Sequence, residues 1–345
     1  FTISRGEFHL NKKPILFVAY RPGKNYNITN MQQFLTLGAL WTLFNVATTI
    51  SLPKYSSSQT YFAQSDPNIP VSQVDDTNNF GLKSQYSWDD VVSNLASNEK
   101  LFFLQRHGQG WHNVAPSNFS RVDWNCYWAE QSGRDGVVWE DAELTPKGVQ
   151  QIQNLHQRIK DTPDFPQPEK FFVSPLRRTL QTWNITWNGL PHKTPLIKEF
   201  AREIYGIDSE SKRHNKTFIH NYVPSFEFES GFTEQDENWS PDKSESDQHC
   251  DYRAAVLLQD IFNDSPDEKV ISVVLHSGII YCLLDVVGHR YFPMATGGAI
   301  PVVIAIENYN TDYPLNDAWD TFKDWCPNPP ALISGTATST ATGSA

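Results

Sequence analysis

Short apolar runs alternate with longer amphipathic stretches along most of the chain. The runs are LFFLQ (101–105), FFVS (171–174), PLIKE (195–199), VISVVLH (270–276) and PVVIAIE (301–307). Helical spacing of apolar positions occupies 145–160, 175–187, 252–263 and 278–287. Runs without polar alternation suit strands buried on both faces. Strands of that kind interleaved with helices predict a three-layer α/β/α sandwich around a mostly parallel central sheet. Thr145 and Pro146 mark the start of the first helix: the Thr hydroxyl can cap it, and Pro at the first helical position gives up an N–H that has no partner anyway. One domain is expected from Tyr61 to about Asn328, with no internal repeat. The polar stretch 206–250, carrying Asp, Glu and Ser with scattered aromatics, reads as an insertion or lid.

The ends of the chain carry different signals. Met31 opens MQQFLTLGALWTLFNVATTISLP, whose apolar part is too short for a confident membrane span and fits the apolar region of a secretory leader over 31–50. No Lys or Arg lies between Met31 and that run, and a helix packed on the domain is the alternative. With the leader, residues 1–30 are upstream sequence of no structural meaning and the protein enters the secretory pathway; without it, the cytoplasm is expected. Sequons at Asn27, Asn118, Asn184, Asn215 and Asn238 are about as many as chance supplies and decide nothing. The Ser/Thr-rich stretch 333–345 has too few large apolar groups to pack and reads as a disordered tail.

Composition narrows the class. With 39% hydrophobic and 13% aromatic residues, the 345-residue chain is neither disordered, nor collagenous, nor a coiled coil. Thirty-nine acidic against 28 basic residues give a net charge of −11, which excludes nucleic-acid binding through a general basic field. An anionic substrate would need a local Arg cluster set against that sign. Cys126, Cys250, Cys282 and Cys326 show no CxxC, so a structural zinc site is excluded and at most two disulfides can form. Cys282, on an apolar helix, reads as a small buried hydrophobe; pairing among the other three is left open.

Three strand ends supply what anion chemistry needs. The first run leads into Gln105-Arg106-His107-Gly108-Gln109-Gly110-Trp111-His112-Asn113, the second into Ser174-Pro175-Leu176-Arg177-Arg178, and the fourth into His276-Ser277-Gly278. In open α/β sheets ligands sit beyond the carboxyl ends of strands, where helix N-termini offer free N–H groups to an anion.

Arg-His-Gly at a strand end, followed by Ser-Pro-Leu-x-Arg and then His-Ser-Gly, resembles the histidine phosphatase superfamily, the phosphoglycerate-mutase-like proteins, over about residues 61–310. The string LFFLQRHGQGWHNVA, with ELTPKG (143–148) and REIYG (202–206), is most similar to a fungal branch of broad-specificity phosphomutase-like phosphatases. The resemblance implies that His107 is the nucleophile that becomes phosphohistidine. Its imidazole must be neutral, with the tautomer fixed by a backbone acceptor. It implies that Arg106 and Arg178 grip phosphate oxygens, for which a planar fork that cannot lose its charge is suited. It also implies that His276 donates to the phosphoryl group and that Asn113 lines the pocket. Glu203 matches the acid that protonates the leaving oxygen and then activates water. The acid-phosphatase and phytase branch, with Asp after the second His, is disfavoured because Ser277 stands there.

A phosphoglycerate-type mutase is the alternative. It typically carries Gly-Asn after the second His and further basic segments; Ser277-Gly278 and the absence of a basic run in 206–250 favour hydrolysis of small phosphorylated metabolites, with no cofactor or metal implied. A non-catalytic phospho-ligand-binding protein is the other alternative, although such relatives usually lack a nucleophile or acid that this chain has. His112, His156, His192, His214, His220 and His289 read as surface or packing residues. Arg177 and Arg202 read as solvated or ion-paired, and the acid-rich 234–251 run as a solvated loop. Asp123 to Trp128 could line a substrate mouth or pack in a core. Oligomeric state and the natural substrate leave no mark in the sequence.

Overall fold

The computed structural model describes residues 49–314, 319–321 and 326. The expected upstream segment, most of the expected leader and the Ser/Thr-rich tail lie outside the described residues.

Seven strands make the central sheet: β1 (Thr49–Ser57), β2 (Glu99–Arg106), β3 (Lys170–Val173), β4 (Leu196–Ile197), β5 (Glu227–Phe228), β6 (Val270–Leu275) and β7 (Ala299–Pro314). Their spatial order is β1-β7-β2-β6-β3-β4-β5. Every pair from β2 to β5 is parallel, whereas β7 on β2 and β1 on β7 are antiparallel. The helices among the described residues are α1 (Trp88–Ser93), α2 (Trp111–Val114), α3 (Arg121–Cys126), α4 (Pro146–Asp161), α5 (Arg177–Trp187), α6 (Lys216–Tyr222), α7 (Asp247–Asp264) and α8 (Ser277–Val286).

The three-layer expectation holds, and the core explains it. Strand β6 is buried at all six positions, as a central parallel strand covered on both faces must be. One face packs with α7 and α8 through Leu257, Leu258, Ile261, Ile279 and Leu283. The opposite face packs with α1, α4 and α5 through Trp88, Val91, Leu155, Ile159, Leu180 and Trp183. Helix α4 begins as its sequence predicts, with Thr145 Oγ1 accepting from the Gly148 N–H (3.0 Å) and Pro146 in its first turn.

Several boundaries differ from the sequence reading. The sheet begins at Thr49 rather than within a domain starting at Tyr61, and the last two residues of the leader-like run, Thr49 and Ile50, pair with Pro314 and Tyr313. The apolar signal there belongs partly to a strand, whose Leu52 and Tyr55 are buried. Strand PLIKE shrinks to Leu196–Ile197. Helix α7 starts five residues before the expected 252, because Ser246 Oγ caps it by accepting from the His249 N–H.

The acid-rich 234–251 run is not simply a solvated loop. Asp236 pairs with the fully buried guanidinium of Arg202 (2.7 Å), and Glu245 pairs with the fully buried Arg253 (2.6 Å). Those carboxylates neutralise guanidinium groups that would be too costly to bury alone. Arg202 is therefore ion-paired, one of its two expected states. Trp124 packs in a satellite core with Trp139 and Ala115, while Tyr127 is exposed. Cys282 is buried as expected but not free: it is bonded to Cys250, joining α8 to α7, and Cys126 is bonded to Cys326.

Candidate active site

The sheet register builds the site. Arg106 is opposite Leu275 and Val173 opposite Val274, so β2, β6 and β3 end level with one another. The residues that leave those strands, His107, His276 and Ser174, therefore emerge at one edge. His276 is the N-cap residue of α8, and Arg178 lies in the first turn of α5, so two helix N-termini converge there.

His107 is fully buried, and its Nδ1 lies 2.7 Å from the Gly108 carbonyl. A carbonyl can only accept, so Nδ1 carries the proton and Nε2 keeps its lone pair. Among the described residues Nε2 has no hydrogen-bond partner. Burial, reinforced by the charges of Arg178 and Arg106, holds this imidazole well below the ordinary histidine range, so it is neutral at neutral pH. The backbone around it is tightly held: the His107 N–H donates to the Leu275 carbonyl (3.1 Å), and the His107 carbonyl accepts from the Gly297 N–H (2.8 Å). A Cβ on Gly108 would fall 2.6 Å from the Gly148 carbonyl oxygen, so the turn after His107 packs on the first turn of α4 only because both residues are glycine.

Around His107 the other expected residues converge. The ring of His276 is centred 5.0 Å from that of His107. Arg178, fully buried, donates from Nε to His276 Nδ1 (3.1 Å). That bond leaves the proton of a neutral His276 on Nε2, 2.8 Å from Ser174 Oγ. Burial and the Arg178 charge hold His276 well below its ordinary range. Arg106 is anchored by Nη1 donating to the Met294 carbonyl (2.7 Å), while its buried Nε is without a partner among the described residues. Glu203 is partly buried; its Oε1 accepts from the N–H groups of Gly278 (2.8 Å) and Ile204 (3.0 Å), and its Oε2 from Ser277 Oγ (3.3 Å). The acid expected after the third run thus sits at the head of α8, next to His276.

Two residues stand differently from their sequence reading. Asn113 is exposed, and its Oδ1 accepts from the Gly110 N–H (2.9 Å), closing the α2 turn. Its neighbour His112, expected at the surface or in packing, is buried with its ring 5.2 Å from that of His107. The one-turn helix after Gly110 reverses the chain and points position 112, not 113, back at the nucleophile. Arg177 is paired away from the site, with its guanidinium on the Asp141 carbonyl and on Glu143 and its N–H on the Asp141 carboxylate.

Glu210 gave no sequence signal. Its Oε2 forms a 2.6 Å ion pair with Arg178 Nη2 and lies 3.8 Å from His112 Nε2. Its carbonyl accepts from Arg178 Nη1 (2.8 Å). Burial pushes this carboxyl up to about 7 although Arg178 pulls it down. A lone acid in a polar stretch has no periodicity to mark it.

Two cavities flank Ser277. One, of about 390 Å³, has the acidic residues Glu203, Asp208, Glu210 and Asp320 in its lining, beside Ile204 and Ile207. The other, of about 200 Å³, runs from Arg106 past Tyr281, Tyr291, Phe292 and Met294. Among the described residues no group of three or more His, Cys, Asp or Glu side chains is arranged to hold a metal ion, and no helix is long and apolar enough to cross a membrane.

The strand ends of an open α/β sheet thus gather a neutral imidazole and two guanidinium groups at one edge. Residues 102–291 match the model of the histidine phosphatase superfamily, branch 1, and the chain belongs to that family. It is 34% identical over 293 residues to a "Probable phosphoglycerate mutase" of Arthroderma benhamiae, covering 75% of this chain and 86% of that one. It is 31% identical over 256 residues to "Probable phosphoglycerate mutase PMU1" of Saccharomyces cerevisiae, covering 65% and 86%. A "Phosphoglycerate mutase-like protein" of Arabidopsis thaliana is 28% identical over 216 residues, covering 55% and 75%. The family consists of phosphatase- and mutase-type enzymes, and two of these relatives are fungal.

Proposed function

We propose that the protein is a phosphatase that hydrolyses small phosphomonoesters through a phosphohistidine at His107. The observation that carries this is the tautomer: Nδ1–H donates to the Gly108 carbonyl, which leaves Nε2 unprotonated, unpartnered among the described residues and subject to the charges of Arg178 and Arg106. In the first half-reaction Nε2 attacks phosphorus and the ester P–O bond breaks. Glu203, protonated, passes its proton to the leaving oxygen. In the second, water attacks the phosphohistidine, Glu203 takes the water proton, the P–N bond breaks and inorganic phosphate departs. Arg106 and Arg178 meet the charge on the phosphoryl oxygens throughout, which supplies electrostatically what a metal ion supplies in other phosphatases. His276 contributes by turning its Nε2–H from Ser174 toward an equatorial oxygen.

The names of the relatives raise phosphoglycerate mutation as the second reading. Against it stands the charge of the surroundings: the larger cavity at Ser277 has acidic residues in its lining, and Arg106 is the basic residue lining the smaller one. A phosphoglycerate carboxylate would find repulsion where a mutase must hold it. The test is a rapid quench with phosphate-labelled ester. Wild type is expected to accumulate acid-labile label and release phosphate, with 3-phosphoglycerate giving no 2-phosphoglycerate. Full activity in His107→Ala would overturn the assignment.

A further inference from the structure

Arg178 is engaged on every side in the free protein. Its Nε donates to His276, its Nη1 to the Glu210 carbonyl, and its Nη2 faces the Glu210 carboxyl group at 2.6 Å. Only 18% of the Glu210 side chain is accessible. A phosphoryl dianion that binds Arg178 through Nη2 must therefore meet Glu210 Oε2 at van der Waals distance or displace it. Two anions crowded onto one guanidinium in a buried site repel strongly, and a like charge favours the neutral form of whichever group can take a proton.

The proton has few other places to go. The groups facing Glu210 are Arg178 from α5, Arg106 from the end of β2, His112 from α2, Asp141 from the loop before α4, and Glu203 and Asp208 from its own segment. Arg178 is permanently charged. His112, like His107 and His276, is held neutral well below the ordinary range by burial and by Arg178. Burial raises Asp141 as well, but it accepts from the Arg177 N–H and makes no contact with the Arg178 fork, and burial pushes Asp208 up to about 6, below Glu210. Glu203 is held away from the Arg178 fork, by the N–H groups of Ile204 and Gly278 and by Ser277 Oγ at the head of α8. Glu210 Oε2 has an ion pair but no well-angled hydrogen bond among the described residues.

We propose that Glu210 occupies the Arg178 fork in the free enzyme and takes up one proton when a phosphoryl dianion binds, so that anion binding and protonation of Glu210 are a single coupled event. This rests on the reading of Arg178 as a phosphoryl ligand. Once neutral, the Glu210 carboxyl can stay beside the ligand as an O–H donor instead of repelling it. Burial, outweighing the pairing with Arg178, pushes the free group up to about 7, so the uptake is expected at and above neutral pH.

Sulfate is the probe, because it stays dianionic across the whole range and adds no titration of its own. Binding is measured calorimetrically between pH 6 and 8.5 in two buffers of different ionisation enthalpy, which counts protons directly. Wild type should take up nearly one proton per sulfate at pH 8, and its affinity should fall about tenfold per pH unit above pH 7. Glu210→Gln, always neutral, should bind with no proton uptake and no pH slope, and more tightly than wild type at pH 8. Glu203→Gln should keep the wild-type linkage. Binding by wild type without proton uptake, or a wild-type slope in Glu210→Gln, would overturn the coupling alone. No sulfate binding even at pH 6 would overturn both the coupling and the phosphoryl role of Arg178.

Discussion

Adjacent arginines at 177 and 178 show how little a residue type says without its direction. One helical step separates them, yet Arg178 is fully buried against His276 and Glu210, whereas Arg177 holds the 140–143 segment through Asp141 and Glu143. The motif spacing Leu-x-Arg selects the one that is buried beside His276, because a helix turns its side chains by about 100° per residue. Arg178→Ala is expected to lower kcat/KM about 10²- to 10³-fold by removing a fixed cationic donor from the transition state. Arg178→Lys should recover little, since a point charge cannot hold His276 Nδ1 and a phosphoryl oxygen together. Arg177→Ala should stay within a few-fold of wild type in kcat/KM while lowering the melting temperature. Steady-state kinetics beside thermal melts of the three variants decide this; equal kinetic losses at 177 and 178 would refute it. The same limit explains the pair 112 and 113: both are polar, and only the one-turn helix after Gly110 decides that the histidine faces inward.

At the scale of elements, the site depends on close approach of backbone segments. A Cβ on Gly278 would lie 2.3 Å from Glu203 Oε1 and 2.4 Å from Ile204 Cγ1. The head of α8 reaches the proposed acid only because that side chain is absent. Gly278→Ala should push the Glu203 carboxylate off its N–H donors and overpack the contact by ~1–3 kcal/mol. The expected result is a fall in kcat with a smaller change in KM, since the phosphoryl grip of Arg106 and Arg178 is not touched. A large rise in KM at unchanged kcat would show that Glu203 is not the displaced group. The strand ends were readable because apolar runs ending in Arg, Ser-Pro and His are distinctive. The loop that brings Glu210 to Arg178 was not, because polar segments fold around the charges they pair with and leave no periodic trace.

The whole molecule is bolted where the chemistry needs rigidity. The Cys250–Cys282 bond joins α7 to α8, six residues beyond His276, and closes a loop of sequence separation 32. By loop-closure entropy such a link is worth ~3–4 kcal/mol. Replacing Cys250 and Cys282 by Ala should lower the unfolding free energy by about that amount in denaturant titrations, and reductant, which also breaks Cys126–Cys326, should lower it further. No change on reduction would mean that the bond does not form in solution. All four cysteines are paired, a pattern that suits an oxidising compartment. The strand β1 matters at the same scale: Leu52 and Tyr55 complete the core face that α7 and α8 cover, although its first residues read as the end of a leader.

By itself the sequence determined the sheet's central strands, the helices that cover it and that His107, Arg106, Arg178 and His276 stand at or just beyond the strand ends, since buried strands impose residue types at set positions and end where polar residues take over. Only the tertiary structure decided the partners: which cysteines join, that Asp236 and Glu245 are buried counter-ions, that His112 faces the nucleophile, and that Glu210 rests on Arg178. Those outcomes depend on pairings across tens to hundreds of residues, where identity in the chain is compatible with either solvent or core until the fold supplies the opposite charge.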